Sequence, residues 1–166
     1  MRFEFSQEDE GFRAEVRRFY QDELPADWDG THDYEGGGGG VIGRVRKKLA
    51  DKGWLTMAWP KEYGGLGWSV NRQVIFADES VRARFQGARD PGVGFLGPAI
   101  IHHGTEEQKQ KFLPPISRAE LSFHQGFSEP DAGSDLTGLR TTAKRDGDFY
   151  IIKGQKIWGG GLGHAD

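Results

Sequence analysis

Cysteine is absent from the 166 residues. Disulfides, thiolate nucleophiles and Cys-ligated zinc are therefore excluded, a pattern that suits a reducing cytoplasm. Long apolar runs are missing too. None approaches the ~20 residues of a membrane-spanning helix, and Met1-Arg2-Phe3-Glu4-Phe5 lacks the apolar core of a secretory leader. Nor is there a surplus of one charge. The formal net charge is −3, with Lys and Arg interspersed among acids, which gives no electrostatic case for nucleic acid or an anionic membrane. A cytoplasmic protein without nucleic-acid or membrane partners is expected. What is abundant is glycine, 26 residues, in local clusters. The length suits one domain, or one domain and the opening of a second.

The first two-thirds reads as helices. Ser6 precedes Gln7-Glu8-Asp9, a hydroxyl N-cap with an acid at the third helical position. Phe12, Val16 and Phe19 follow on one stripe, and Pro25 marks the stop. Residues 25–40 read as a loop. A second helix is expected from about Val41, with Val45 and Leu49 inward and Gly53 at its C-terminal end. An aromatic loop runs from Trp54 to Trp68, with turn chemistry at Tyr63-Gly64-Gly65. Ser69 is expected to cap a third helix whose inward stripe is Val70, Val74, Ala77, Val81 and Phe85. A buried helix is expected around Pro98–His103. Thr105-Glu106-Glu107-Gln108 is a capping box whose helix should end before Pro114-Pro115.

Beyond about residue 120 the pattern changes. Leu121–Phe127 reads as a strand. Leu139–Lys144 and Phe149–Lys153 flank Arg145-Asp146-Gly147-Asp148, a hairpin signal. Gln155–Trp158 reads as one more strand. The fold class is α+β, with an all-α domain over residues 1–120 followed by the opening strands of a β domain over 121–166.

Most candidate sites have a plain structural reading. Gly38, Gly40 and Gly43 formally satisfy G-x-G-x-x-G, but Thr31-His32-Asp33-Tyr34-Glu35 is no strand, so the run reads as a loop rather than a dinucleotide turn. His102 and His103 point to different sides of any regular element, and no metal site is expected. Trp54, Trp59 and Trp68 read as packing anchors rather than a ligand site. Ser134 lacks the Gly-x-Ser-x-Gly elbow of a serine hydrolase. Its small neighbours would let backbone N–H groups approach an anion. On chemistry alone, a phosphate or cofactor contact and a plain turn stand level.

Several ordered stretches resemble the acyl-CoA dehydrogenase family. They are Leu49-Ala50-Asp51-Lys52-Gly53-Trp54, Trp59-Pro60-Lys61-Glu62-Tyr63-Gly64-Gly65, His103-Gly104-Thr105-Glu106-Glu107-Gln108-Lys109 leading to Phe112-Leu113-Pro114, Phe127–Leu136, Gly147-Asp148-Phe149-Tyr150, Gly154-Gln155-Lys156-Ile157-Trp158, and His164-Ala165-Asp166. The resemblance implies a helical N-terminal domain, the start of a middle β-barrel, and FAD as cofactor. Cofactor contacts are implied at Gln125, Phe127, Ser128, Gly133, Ser134, Trp158 and Gly160. Ser128 would meet the flavin ring with its hydroxyl and backbone. Ser134 would lie by the pyrophosphate and the CoA end of the substrate, and Trp158 would pack on the isoalloxazine.

The implied reaction is α,β-dehydrogenation of an acyl-CoA to the 2-enoyl-CoA. A carboxylate takes the α-proton and flavin N5 the β-hydride, while hydrogen bonds at the thioester oxygen stabilise enolate character. The expected partners are acyl-CoA and an electron-transfer flavoprotein, in a homo- or hetero-oligomer. The motifs lean towards members that take bulky acyl groups, including sterol side chains. Two departures stand out. Gly159-Gly160-Gly161 replaces the Thr or Ser that the family carries two residues after the tryptophan. The base is also expected beyond Asp166, so the 166 residues alone should be inactive. Three alternatives are a non-catalytic remnant or partner subunit, an acyl-CoA oxidase, and a flavin monooxygenase relative.

Overall fold

In the computed structural model, residues 4–30 and 40–159 are described. Five helices come first: α1 (Gln7–Glu23), α2 (Val41–Asp51), α3 (Val70–Arg82), α4 (Gly97–His103) and α5 (Glu106–Ser117). An antiparallel hairpin follows, β1 (Thr142–Asp146) and β2 (Phe149–Lys153), in the register Thr142↔Lys153 to Asp146↔Phe149. The helix-to-strand order matches the α+β expectation. The Gly run at 36–39 and Gly160–Gly161 fall outside the described residues.

Helix α1 starts with a reciprocal capping box. Asp9 N–H donates to Ser6 Oγ at 3.0 Å, and Ser6 N–H to Asp9 Oδ2 at 3.4 Å. The box satisfies two of the donors that a helix start leaves free. Phe12, Val16 and Phe19 are buried as expected, and Tyr20 joins them. Helix α2 buries Val45 and Leu49, and Gly53 turns the chain at φ 69°, a left-handed backbone in which glycine carries no Cβ penalty. These helices, the Trp54–Met57 stretch and α3 enclose the larger core. Phe12 meets Trp54 edge-on at 5.4 Å and Trp68 at 5.0 Å, so these tryptophans are packing anchors. A smaller core gathers Trp59, Leu113 and Ile116 between α5 and α4.

Four expectations are corrected here. The first concerns α3, which buries Ile75, Phe76, Glu79 and Ser80. Val70, Val74, Ala77 and Val81 face outward, and only Phe85 of the expected stripe is inside. Two faces of α3 compete, and buried polar partners decide between them. Glu79 is held by Arg13 and Arg17 of α1, and Ser80 by the Tyr20 hydroxyl at 2.8 Å. Ser69 stands at the N-cap position but makes no side-chain cap bond among the described residues.

The second correction is that α4 is a partly exposed helix rather than a buried one. Only Gly97 is buried in it, and a π-helical turn at Gly92–Leu96 leads into it. In the third, α5 runs through Pro114 and Pro115 to Ser117. Burial of Leu113 and Ile116 draws the last turn in. The Ser117 hydroxyl and Arg118 N–H both donate to the Pro114 carbonyl, at 2.9 and 3.2 Å. The fourth concerns Leu121–Phe127 and Gln155–Trp158, which join no strand ladder among the described residues. One backbone bond, Ile157 N–H to the Ser128 carbonyl at 2.9 Å, ties the second stretch to the residue just past the first. The hairpin forms, but its first strand is Thr142–Asp146 rather than Leu139–Lys144, so Asp146 pairs with Phe149 and the turn is Gly147-Asp148. Gly147, at φ 59°, takes the first place of the Gly147-Asp148 loop, where a type II′ turn demands glycine.

Candidate functional site

Residues 121–134 cross from the helical layer to the hairpin. Asp90 anchors their start. Its Oδ1 accepts the N–H groups of Gly92 at 2.6 Å and Val93 at 3.3 Å. Its Oδ2 accepts the Ser122 hydroxyl at 3.3 Å and pairs with Arg46 at 2.6 Å. One buried carboxylate thus ties α2, the turn before α4 and the crossing segment together.

Past this anchor, Gln125 and Phe127 line an open cleft of about 560 Å³ with Pro91, Phe95, Leu96, Ala99, Ile100, Phe112, Phe123 and His124. Its walls are overwhelmingly hydrocarbon, the character of a site for an apolar ligand. Phe95 and Phe127 remain well exposed across it. A hollow of similar size lies between the ends of α1 and α3. Arg17 and Glu79 on its wall are already spent on each other, which reads as structure.

The chain then turns tightly. Glu129 and Ala132 exchange both backbone bonds, at 2.8 and 3.1 Å. Gly133 and Ser134 follow in the open. A Cβ at Gly133 would meet nothing within 4 Å, and Ser134 is exposed with its hydroxyl uncommitted among the described residues. Asp135 caps the next turn by accepting Thr137 N–H at 3.2 Å.

Trp158 is 88% exposed, on a left-handed backbone at φ 60°. A bulky residue there stores about 1–3 kcal/mol of strain, which persists where surroundings over-determine the chain. Gln125, Phe127, Ser128, Gly133, Ser134 and Trp158 therefore sit on two adjoining stretches that meet at the Ser128–Ile157 bond. Gly160 lies outside the described residues.

Two residues that sequence reading did not assign organise this site. Glu129 is buried at 6% exposure. It accepts Arg140 N–H at 2.7 Å, Thr141 N–H at 2.9 Å and the Lys156 ammonium at 3.0 Å. The Thr141 side chain beside it, then the Arg140 N–H and Lys156, hold its carboxyl down at about 2. A carboxylate so satisfied is a poor proton acceptor near neutral pH. Lys156 also donates to the Phe127 carbonyl at 3.0 Å. The available signal was the pairing of an acid inside the first motif with a lysine inside the second. Among the described residues, no group of three His, Cys, Asp or Glu side chains could hold a metal ion, and no helix is long and apolar enough to cross a membrane.

Comparison with known proteins accords with this architecture. The family model for the acyl-CoA dehydrogenase N-terminal domain matches residues 6–120. Acyl-CoA dehydrogenase FadE26 of Mycobacterium tuberculosis is 40% identical over 171 aligned residues, covering 100% of this chain and 42% of the relative. Among solved structures, the ChsE4-ChsE5 complex from Mycobacterium tuberculosis matches with TM-score 0.83 and 39% identity, over 100% of this chain and 42% of that one. A structure described as the Tcur3481-Tcur3483 steroid ACAD matches with TM-score 0.87 and 40% identity, over 100% and 43%. The chain thus spans about 42% of the length of the curated relative. With helices, crossing segment and hairpin all aligned, the chain belongs to the acyl-CoA dehydrogenase family.

Proposed function

We propose that residues 121–159 form one wall of an FAD site, and that the whole protein converts an acyl-CoA to its 2-enoyl-CoA in the cytoplasm. The observation that carries this reading is the junction of the two motif stretches. The Ser128 carbonyl is bonded to Ile157 N–H at 2.9 Å, so the Ser128 hydroxyl and the exposed Trp158 ring lie on neighbouring backbones beside a hydrocarbon cleft. The residues suit a flavin. An exposed indole gains buried apolar area when a planar ring covers it. Gly133 leaves room for close backbone approach, and Ser134 offers a free donor to a pyrophosphate or to the CoA end of the substrate.

FAD, when bound, supplies the hydride acceptor. Ser128 orients the ring by hydrogen bonding, and Trp158 shields it from water. Gln125 and Phe127 form the cofactor-side edge of the cleft. Phe95, Leu96, Ile100 and Phe123 would take the acyl chain, burying it at roughly 25 cal/mol per Å² of apolar surface. The carboxylate base is assigned to the part of the family's length that this chain does not span, since Glu129 is committed elsewhere. An electron-transfer flavoprotein is the proposed acceptor. The resemblance to a steroid enzyme favours bulky substrates such as sterol side-chain thioesters. We assign domains 1–120 and 121–166 on the same basis.

A second reading has an observation of its own. One of the matched structures is the ChsE4-ChsE5 complex, and another is named for two components, Tcur3481-Tcur3483, which supports a hetero-oligomer in which this chain partners a fuller subunit.

The test is an assay of the whole protein, loaded with FAD, on straight-chain and steroid-bearing acyl-CoA. The expected outcome is a product two hydrogens lighter, favoured for the steroid thioester, with electrons passed to the flavoprotein acceptor. Absence of product from the whole protein alone, with turnover on adding a co-purifying subunit, supports the second reading. Fast reoxidation by oxygen instead would point to the oxidase relative.

A further inference from the structure

Glu129 lies inside the motif assigned above to the flavin, yet it points into the protein rather than into open space. Each of its oxygens is committed. Oε2 takes Arg140 N–H at 2.7 Å, while Oε1 takes Thr141 N–H at 2.9 Å and Lys156 Nζ at 3.0 Å. Lys156 reaches on to the Phe127 carbonyl at 3.0 Å, and the next residue donates to the Ser128 carbonyl at 2.9 Å. Three stretches remote in sequence are thereby gathered on one carboxylate: the motif at 127–129, the residues leading into β1, and the 156–157 stretch that carries Trp158. Among the described residues, few other tertiary bonds hold that last stretch to the motif. Gly126 contributes closeness only, since a Cβ there would stand 3.2 Å from Lys156 Cγ.

We propose that Glu129 is a positioning residue for the cofactor. Through Lys156 it fixes the backbones at Ser128 and Ile157, and so sets how the Ser128 hydroxyl and the Trp158 ring face the flavin. The inference rests on the flavin reading of those two residues. It is chemically specific, because every group facing Glu129 is a donor. An isosteric amide must turn its NH2 against the Arg140 N–H or against the Thr141 N–H and the Lys156 ammonium. Loss of charge alone would also leave Lys156 partly buried with one carbonyl for company. Glu129 acts through its neighbours, since its buried carboxylate is turned to these three donors.

The experiment uses the whole protein with added FAD, comparing wild type with Glu129→Gln, Lys156→Met and Lys156→Arg. The readouts are FAD affinity, the visible spectrum and reduction potential of the bound flavin, and amide exchange by NMR. Glu129→Gln and Lys156→Met should each weaken FAD at least about tenfold, the scale of one charge-assisted bond lost. Both should perturb the flavin spectrum and potential and speed exchange at Arg140, Thr141 and Ile157, with α1 to α3 unchanged. Lys156→Arg should restore most of the affinity. If Glu129→Gln also exposes the amides of α1 to α3, the Lys156 pair of variants decides. Wild-type FAD affinity and spectrum in both Glu129→Gln and Lys156→Met would overturn the positioning role while leaving the flavin reading intact. A wild-type chain that takes up no FAD would overturn the flavin reading, and the positioning role with it.

Discussion

Buried charge is where individual residues matter most in this chain. Glu79, with its side chain 2% exposed, links α3 to α1. It accepts Arg17 at 2.9 and 2.8 Å and Arg13 at 3.3 Å. The Arg17 bond, against the cost of burial, holds its carboxyl below the usual 4.5, and Arg13 adds to that. A carboxyl lowered on folding stabilises the fold above its ordinary value, and that contribution fades as the pH falls through the folded value. Glu79→Gln should therefore cost about 1–2 kcal/mol near neutral pH, after allowance for the half-exposed Arg17. The gap to wild type should shrink in acid, as urea unfolding at a series of pH values will report. A constant gap would mean that the charge is not what matters. Glu129 follows the same sign, its clamp surviving to about 2. Neither acid was legible as buried in the sequence, because an isolated Glu in a polar context gives no signal until its cationic partners are brought round by the fold.

Elements whose ends carry their own chemistry were the readable ones. The boxes at Ser6 and Thr105 set the starts of α1 and α5, Gly53 set the end of α2, and Gly147 set the hairpin turn, all through bonds within a few residues. Errors arose where tertiary partners decide. Helix α3 has a valine face and an Ile75-Phe76 face, and periodicity alone chose the valines. Burial of Glu79 and Ser80 against α1 turns the helix the other way. Two substitutions on adjacent residues test that orientation. Val74→Asp, on the outward face, should change stability by less than about 0.5 kcal/mol. Ile75→Ala, fully buried, should cost about 2–5 kcal/mol. Thermal unfolding of the two variants separates the orientations, and a large loss from Val74→Asp would restore the valine face to the core. The proline pair in α5 is a similar case. Leu113 and Ile116 keep the turn helical after the first Pro nitrogen has already forgone its bond.

At the scale of the molecule, the two cores and the crossing segment make a scaffold with one hydrocarbon cleft and one strained, exposed tryptophan at its far edge. The hairpin beyond carries Phe149, Tyr150, Ile151 and Ile152 exposed on both faces, a pattern that strands show when covered on both sides. Bare edges of this kind invite pairing with other chains. The protein with residues 121–166 removed should therefore stay soluble to higher concentration than the 1–166 chain, as light scattering against concentration will report, and equal solubility would count against the hairpin as the adhesive element. The motif order carried the family in the sequence. The cleft did not, because its walls come from α4, α5 and the 123–127 segment, which meet only in three dimensions.

The decisive property is whether acyl-CoA passes electrons to a flavin held against Ser128 and Trp158. The direct measurement is anaerobic titration of the FAD-loaded whole protein, rather than of the 166 residues alone, with an acyl-CoA, following the visible flavin band. Stoichiometric bleaching, with formation of the 2-enoyl-CoA, is the predicted result. Bound flavin that stays oxidised under excess straight-chain and steroid-bearing thioesters alike would contradict it.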